Sequence, residues 1–153
     1  MTDAKDTLSR FSTLTREWFT GTFVEPTAAQ DQAWQAIADG KDTLVIAPTG
    51  SGKTLAAFLW ALDGLAQLAA APRSGPGTRV LYISPLKALA VDVERNLRTP
   101  LTGITRIAER HGTAAPDISV GLRSGDTPAN RRRELITTPP DILITTPESL
   151  FLM

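Results

Sequence analysis

A chain of 153 residues, 42% hydrophobic and 21% charged, is long enough for one domain with a real core and has neither a disordered nor a fibrous composition. With no cysteine there is no disulfide or thiolate metal site, the single His111 cannot build a metal site alone, and no apolar run nears the roughly 20 residues of a membrane helix. The formal net charge of zero gives no global pull toward nucleic acid, although helix N-termini and a few arginines can hold phosphates locally without one.

The first 12 residues begin Met1-Thr2-Asp3-Ala4-Lys5-Asp6, too polar for a secretory signal, and are expected to be ragged; a cytoplasmic setting is the default. Thr27 and Gln30 stand at capping-box spacing and predict a helix start. Three aliphatic runs, 43–47, 80–84 and 141–145, are nearly continuous in hydrophobicity, as strands covered on both faces are, and 118–122 is a weaker fourth. Helical stretches lie between them. Residues 54–70 are rich in Leu and Ala, and 85–98 carries Leu86, Leu89, Ala90, Val93 and Leu97 at helical spacing. Residues 128–136 start with Thr127 as the expected cap and a proline in the first turn.

Residues 71–77, with two prolines and two glycines, read as an exposed loop inside the domain. Strand alternating with helix predicts an α/β fold: a parallel sheet with right-handed crossovers and helices on both faces. Trp34 and Trp60 have apolar neighbours and belong in the core. Trp18 is less clearly placed, and Asp63 has no evident role.

The run Ala47-Pro48-Thr49-Gly50-Ser51-Gly52-Lys53-Thr54 follows a predicted strand and opens a helix, which is the setting a phosphate-binding loop requires. Gly50 and Gly52 permit backbone angles and a close approach that a Cβ would forbid, so the N–H groups of Thr49 to Thr54 can wrap phosphates. Lys53 supplies positive charge to the outer phosphates, and the Thr54 hydroxyl is placed to ligate Mg²⁺. The predicted ligand is a nucleoside triphosphate, most simply ATP, and Gln30 offers a donor and an acceptor to its base.

Three further stretches each follow a predicted strand: Ser84-Pro85-Leu86-Lys87, Arg123-Ser124-Gly125-Asp126 and Thr146-Pro147-Glu148. In an open parallel sheet, ligands gather at the carboxyl ends of the strands. Thr146 followed by Pro147 reads as an N-cap and a first helical residue, which also leaves backbone N–H groups facing outward. Lys87 suits either a strand contact or a solvated helix surface. Arg131, Arg132 and Arg133 fall about 100° apart on a helix, so they cannot share one face and read as solvated.

Taken together, E-P-T-x-x-Q at Gln30, A-P-T-G-S-G-K-T at the loop, S-P-L-K-A-L-A at Ser84, S-G-D at Ser124 and T-T-P-E-S-L at Thr146 resemble the superfamily-two helicases, most of all the large helicase-related (Lhr) proteins of bacteria. The resemblance covers roughly residues 11–153. It implies a RecA-like ATP-binding domain over 13–153, and an ATP-driven, 3′-to-5′ translocase acting on single-stranded DNA or RNA with no membrane partner. It further implies that Ser84, Pro85, Lys87, Arg123, Ser124, Gly125, Thr146, Pro147 and Glu148 grip one sugar-phosphate backbone without reading its sequence.

What that family needs for hydrolysis is incomplete in these residues. A second metal holder, normally an acid ending a hydrophobic strand, is missing, and no Asp-Glu pair occurs anywhere in the chain. The expectation is a truncated first motor domain whose D-E-x-H strand and second motor domain lie after residue 153, so that the piece binds weakly and does not hydrolyse ATP by itself. Among other readings, a GTPase would need an N-K-x-D base reader, which is absent. A DEAD-box RNA helicase would carry A-P-T-x-x-L-A-x-Q where this chain has Ser84 to Ala90. A nucleotide- or strand-binding module without activity differs from the helicase reading only in what accompanies it.

Overall fold

The computed structural model describes residues 7–69, 75 and 77–153. In chain order the elements are α1 (Thr13–Thr22), α2 (Ala28–Ala38), α3 (Lys53–Ala69), β1 (Val80–Ile83), α4 (Lys87–Arg110), β2 (Val120–Arg123), α5 (Ala129–Thr137), β3 (Ile142–Thr145) and α6 (Pro147–Phe151). The three strands form one parallel sheet in the order β1-β3-β2. All four residues of β3 are buried, as its central place and its Ile-Leu-Ile-Thr sequence require.

One face of the sheet presents Val80, Tyr82, Val120, Leu122, Ile142 and Ile144 to Phe58, Leu62 and Leu65 of α3 and to Ala90, Val93 and Leu97 of α4. Each large side chain buried there contributes about 1.5–3 kcal/mol. The opposite face is covered by α5 at Gly121, where a Cβ would sit 2.7 Å from side-chain atoms of both Leu135 and Pro140. A second cluster joins α1, α2, α3 and α4 through Phe11, Trp18, Phe19, Trp34, Leu59, Ile104 and Ile107. Trp34 is fully buried and donates through Nε1 to the Ala56 carbonyl at 3.0 Å, fixing α2 against α3. No helix among the described residues is long and apolar enough to cross a membrane.

Several expectations are corrected. The run 43–47 is not a strand: Leu44 and Ile46 are 85% and 86% exposed, and no described strand lies beside it. A hydrophobic run becomes a strand only when a neighbour takes its backbone groups, and no described strand pairs with this one. Residues 7–12 are not ragged, since Thr7, Leu8 and Phe11 are buried and Ser12 caps α1; residues 1–6 lie outside the described set. The helix read as 85–98 starts at Lys87 and runs to Arg110, with Pro100 buried inside it. Most of the loop read at 71–77 lies outside the described residues. Trp18 is buried, lying against Gly103 of α4, where a Cβ would come within 2.1 Å of its ring. Asp63 is also buried: its carboxylate accepts from the Ser12 N–H and hydroxyl and from Gln67, tying the start of α1 to α3.

Candidate functional site

The phosphate loop is shaped by two glycines in the left-handed region, Gly50 at φ 82° and Gly52 at φ 78°. It is gripped from outside by the first turn of α2. There Thr27 and Gln30 form a complete capping box, the Thr27 N–H donating to Gln30 Oε1 at 3.0 Å and the Gln30 N–H to Thr27 Oγ1 at 3.3 Å. The same two side chains then reach the loop: Thr27 Oγ1 donates to the Ser51 carbonyl at 2.8 Å, and Gln30 Nε2 to the Gly52 carbonyl at 3.3 Å. Gln30 is buried, so this amide is fixed and keeps one N–H and one lone pair for another partner. The Thr27 contact was not evident from the sequence, where its capping role hides a second use of the same hydroxyl.

Inside the loop, Lys53 donates from Nζ to the carbonyls of Ala47 at 2.5 Å and Pro48 at 2.7 Å, and the Ser51 hydroxyl donates to the Pro48 carbonyl at 2.7 Å. The lysine ammonium thus lies across the mouth of the loop. Thr49, Gly50 and Thr54 are exposed, and α3 begins at Lys53. Its unpaired first N–H groups and the positive end of its dipole face the same loop, so backbone, glycines and lysine fit an anion with several oxygens. Among the described residues no group of three or more His, Cys, Asp or Glu could hold a metal ion.

The second station is the carboxyl end of the sheet. Register aligns Ile83 with Thr145 and Thr145 with Arg123, so the residues that follow, Ser84, Thr146 and Ser124, lie side by side. Ser84 is buried; its N–H extends the ladder to the Thr145 carbonyl at 2.8 Å, and its hydroxyl donates to the Leu86 carbonyl at 3.0 Å. Pro85 is exposed just ahead of α4, whose cap position, Leu86, provides no side-chain hydrogen bond. Thr146 caps α6 as expected, accepting from the Ser149 N–H at 3.4 Å, with Pro147 in the first turn and Glu148 exposed beside it.

At the end of β2, Arg123 is buried and donates to the Leu152 carbonyl at 3.4 Å. The turn Ser124-Gly125-Asp126-Thr127 closes on itself. Thr127 accepts from the Ser124 N–H at 2.8 Å and so does not cap α5, whose cap position is Pro128. Arg132, read as solvated, instead donates from Nε to the Thr127 carbonyl at 2.7 Å and from Nη2 to the Gly125 carbonyl at 2.6 Å, which holds this turn in shape. Lys87 forms an ion pair with Asp126, linking the motif after β1 to the motif after β2. Neither contact was evident from the sequence: Arg132 read as part of a solvated arginine run, and Asp126 stood in the S-G-D stretch with no partner assigned.

Comparison with known proteins agrees with this layout. Residues 27–153 match the family model described as DEAD/DEAH box helicase. The chain is 72% identical over 152 residues to the Lhr helicase/probable uracil glycosylase of Mycolicibacterium smegmatis, covering 99% of this chain and 10% of that protein. It is 53% identical over 147 residues to the Lhr helicase/uracil glycosylase of Escherichia coli, covering 94% of this chain and again 10% of the relative. The solved structure of Mycobacterium smegmatis helicase Lhr bound to ssDNA and AMP-PNP superposes with a TM-score of 0.89 at 71% identity, over 96% of this chain and 18% of that one. The chain therefore spans about a tenth of the length of these two curated relatives.

Proposed function

The chain belongs to the DEAD/DEAH box helicases, and from that membership we propose that it is the nucleotide-gripping part of an ATP-driven motor that moves along single-stranded nucleic acid in the manner of the Lhr proteins. The observation that carries the reading is the clamp of Thr27 and Gln30 on a phosphate loop whose two positive-φ glycines precede Lys53 and Thr54. A nucleotide's outer phosphates would take the Lys53 ammonium from the carbonyls of Ala47 and Pro48, and the Thr54 hydroxyl would ligate the accompanying Mg²⁺. Gln30, with one N–H and one lone pair to spare, would meet the base.

The row formed by Ser84, Ser124 and Thr146 at the strand ends would hold the sugar-phosphate backbone, by contacts that carry no sequence information. DNA is the favoured track, because a relative at 71% identity is described as bound to ssDNA. No Asp-Glu pair occurs in the 153 residues, so we assign the second metal holder, and the second motor domain that turns hydrolysis into movement, to other parts of the intact protein. These residues alone would bind nucleotide and strand without turning ATP over.

The test is nucleotide affinity and strand-stimulated ATPase of the intact protein. Lys53→Ala should abolish ATP binding and with it hydrolysis stimulated by single-stranded DNA. Unchanged nucleotide affinity in that variant would remove the assignment.

A further inference from the structure

The ion pair of Lys87 with Asp126 joins two motifs that approach the strand ends from opposite edges of the sheet. Because β3 lies between β1 and β2, a bridge from the first turn of α4 to the turn after β2 crosses the carboxyl end of β3, where Thr146 and the start of α6 stand. Lys87 is the first residue of α4, where the positive end of the helix dipole disfavours a cation and favours an anion beside it. Asp126 supplies that anion. Its turn is held by the Ser124 N–H on Thr127 Oγ1 at 2.8 Å, the Thr127 N–H on the Ser124 carbonyl at 3.1 Å and the two bonds from Arg132. The carboxylate is therefore presented by a braced turn rather than by a loose loop.

We propose that Asp126 is an internal competitor for the nucleic-acid backbone: its carboxylate holds Lys87 until a strand phosphate takes its place, and returns when the phosphate leaves. The inference rests on reading this face as the strand surface. Both partners are substantially exposed, 52% and 73% by side chain, and exposed pairs are worth about 0–1 kcal/mol, so the exchange is easy in both directions. A motor surface has to release each phosphate it grips. A carboxylate that re-pairs the lysine lowers the cost of letting go, at the expense of some affinity.

The experiment is binding of a fluorescent oligo-dT strand to the intact protein, followed by anisotropy at two salt concentrations, for wild type, Asp126→Asn, Lys87→Ala and the double variant. Asp126→Asn should bind about two- to fivefold tighter, the range an exposed pair can supply, with a steeper fall as salt rises. Lys87→Ala should bind more weakly, and adding Asp126→Asn to it should change nothing further. Asp126→Asn binding no tighter than wild type would overturn the proposal. So would an equal tightening with and without Lys87, because that is a general charge effect. The parent reading fails separately, if Lys87→Ala and Thr146→Ala both bind the strand like wild type.

Discussion

Gln30 and Gly52 stand so close that a Cβ built on the glycine would lie 2.3 Å from the glutamine's Nε2, the atom that donates to the Gly52 carbonyl. Gly52 is therefore glycine for two reasons, a φ of 78° and the packing of the Gln30 amide against it. Gly50 has φ 82° but open space where its Cβ would be. Gly50→Ala should cost about 1–2 kcal/mol of left-handed strain, equivalent to roughly a five- to thirtyfold loss in nucleotide affinity if all of it falls on the bound loop. Gly52→Ala should lose more, because it also expels Gln30 from its capping box. Titration calorimetry with a non-hydrolysable ATP analogue checks the order, and equal losses would show that the Gln30 contact does not matter.

Gly103 of α4 makes a similar argument for the fold. Within a helix, Gly→Ala ordinarily stabilises by about 0.5–1 kcal/mol. Gly64 in α3 has nothing within 4 Å of its would-be Cβ, so Gly64→Ala should raise the melting temperature. At Gly103 the new methyl would meet the Trp18 ring at 2.1 Å, and Trp18 is part of the cluster that joins α1 to α4. Gly103→Ala should lower the melting temperature despite the better helix propensity, by about 1–3 kcal/mol of overpacking. Thermal unfolding followed by circular dichroism reads the two opposite signs directly.

The contrast between what could and could not be read from the sequence follows from range. The phosphate loop, the capping box at Thr27 and the Thr146-Pro147 helix start are local signals, each specified by residues within a few positions of one another, and all three stand in the structure. The run 43–47 has the composition of a strand, yet strand formation needs a partner that composition cannot supply, and Leu44 and Ile46 lie in water. Asp63, Arg132 and Asp126 act across 51, five or seven, and 39 positions respectively, on Ser12, on the 124–127 turn and on Lys87. A charged residue in a helix or turn looks solvated until the fold shows which backbone groups it faces.

Arg10 donates to Asp39 at 2.7 Å, and this hydrogen bond, with the positive charge of the guanidinium, holds the Asp39 carboxyl below its ordinary range; Lys41 adds a smaller pull in the same direction. A carboxyl with a depressed folded-state pKa contributes stability that is present above its unfolded value and is lost as pH falls through the folded one. Stability from this pair should therefore be constant at neutral pH and fade only in acid. In Arg10→Ala, the Asp39 titration followed by NMR should move up toward that of an ordinary aspartate. No movement would mean that the pair does not persist in solution.

Thr146 is the residue on which the proposed strand surface is most easily tested, because one hydroxyl caps α6 within the row at the strand ends. Its hydroxyl is buried and caps α6, accepting from the Ser149 N–H and lying 3.2 Å from Ser149 Oγ, so its first effect is to fix the helix start that faces the strand ends. Thr146→Ala should cost about 0.5–2 kcal/mol through the lost cap. It should also weaken single-strand binding several-fold, without altering preference among base sequences, because backbone contacts carry no sequence information. Thr146→Ser keeps the hydroxyl and should retain most of both stability and binding, since serine caps at least as well as threonine. Anisotropy with mixed-sequence and homopolymeric strands decides the matter: a change of sequence preference in Thr146→Ala would place this residue against bases instead of the backbone, and full binding in that variant would remove it from the strand surface.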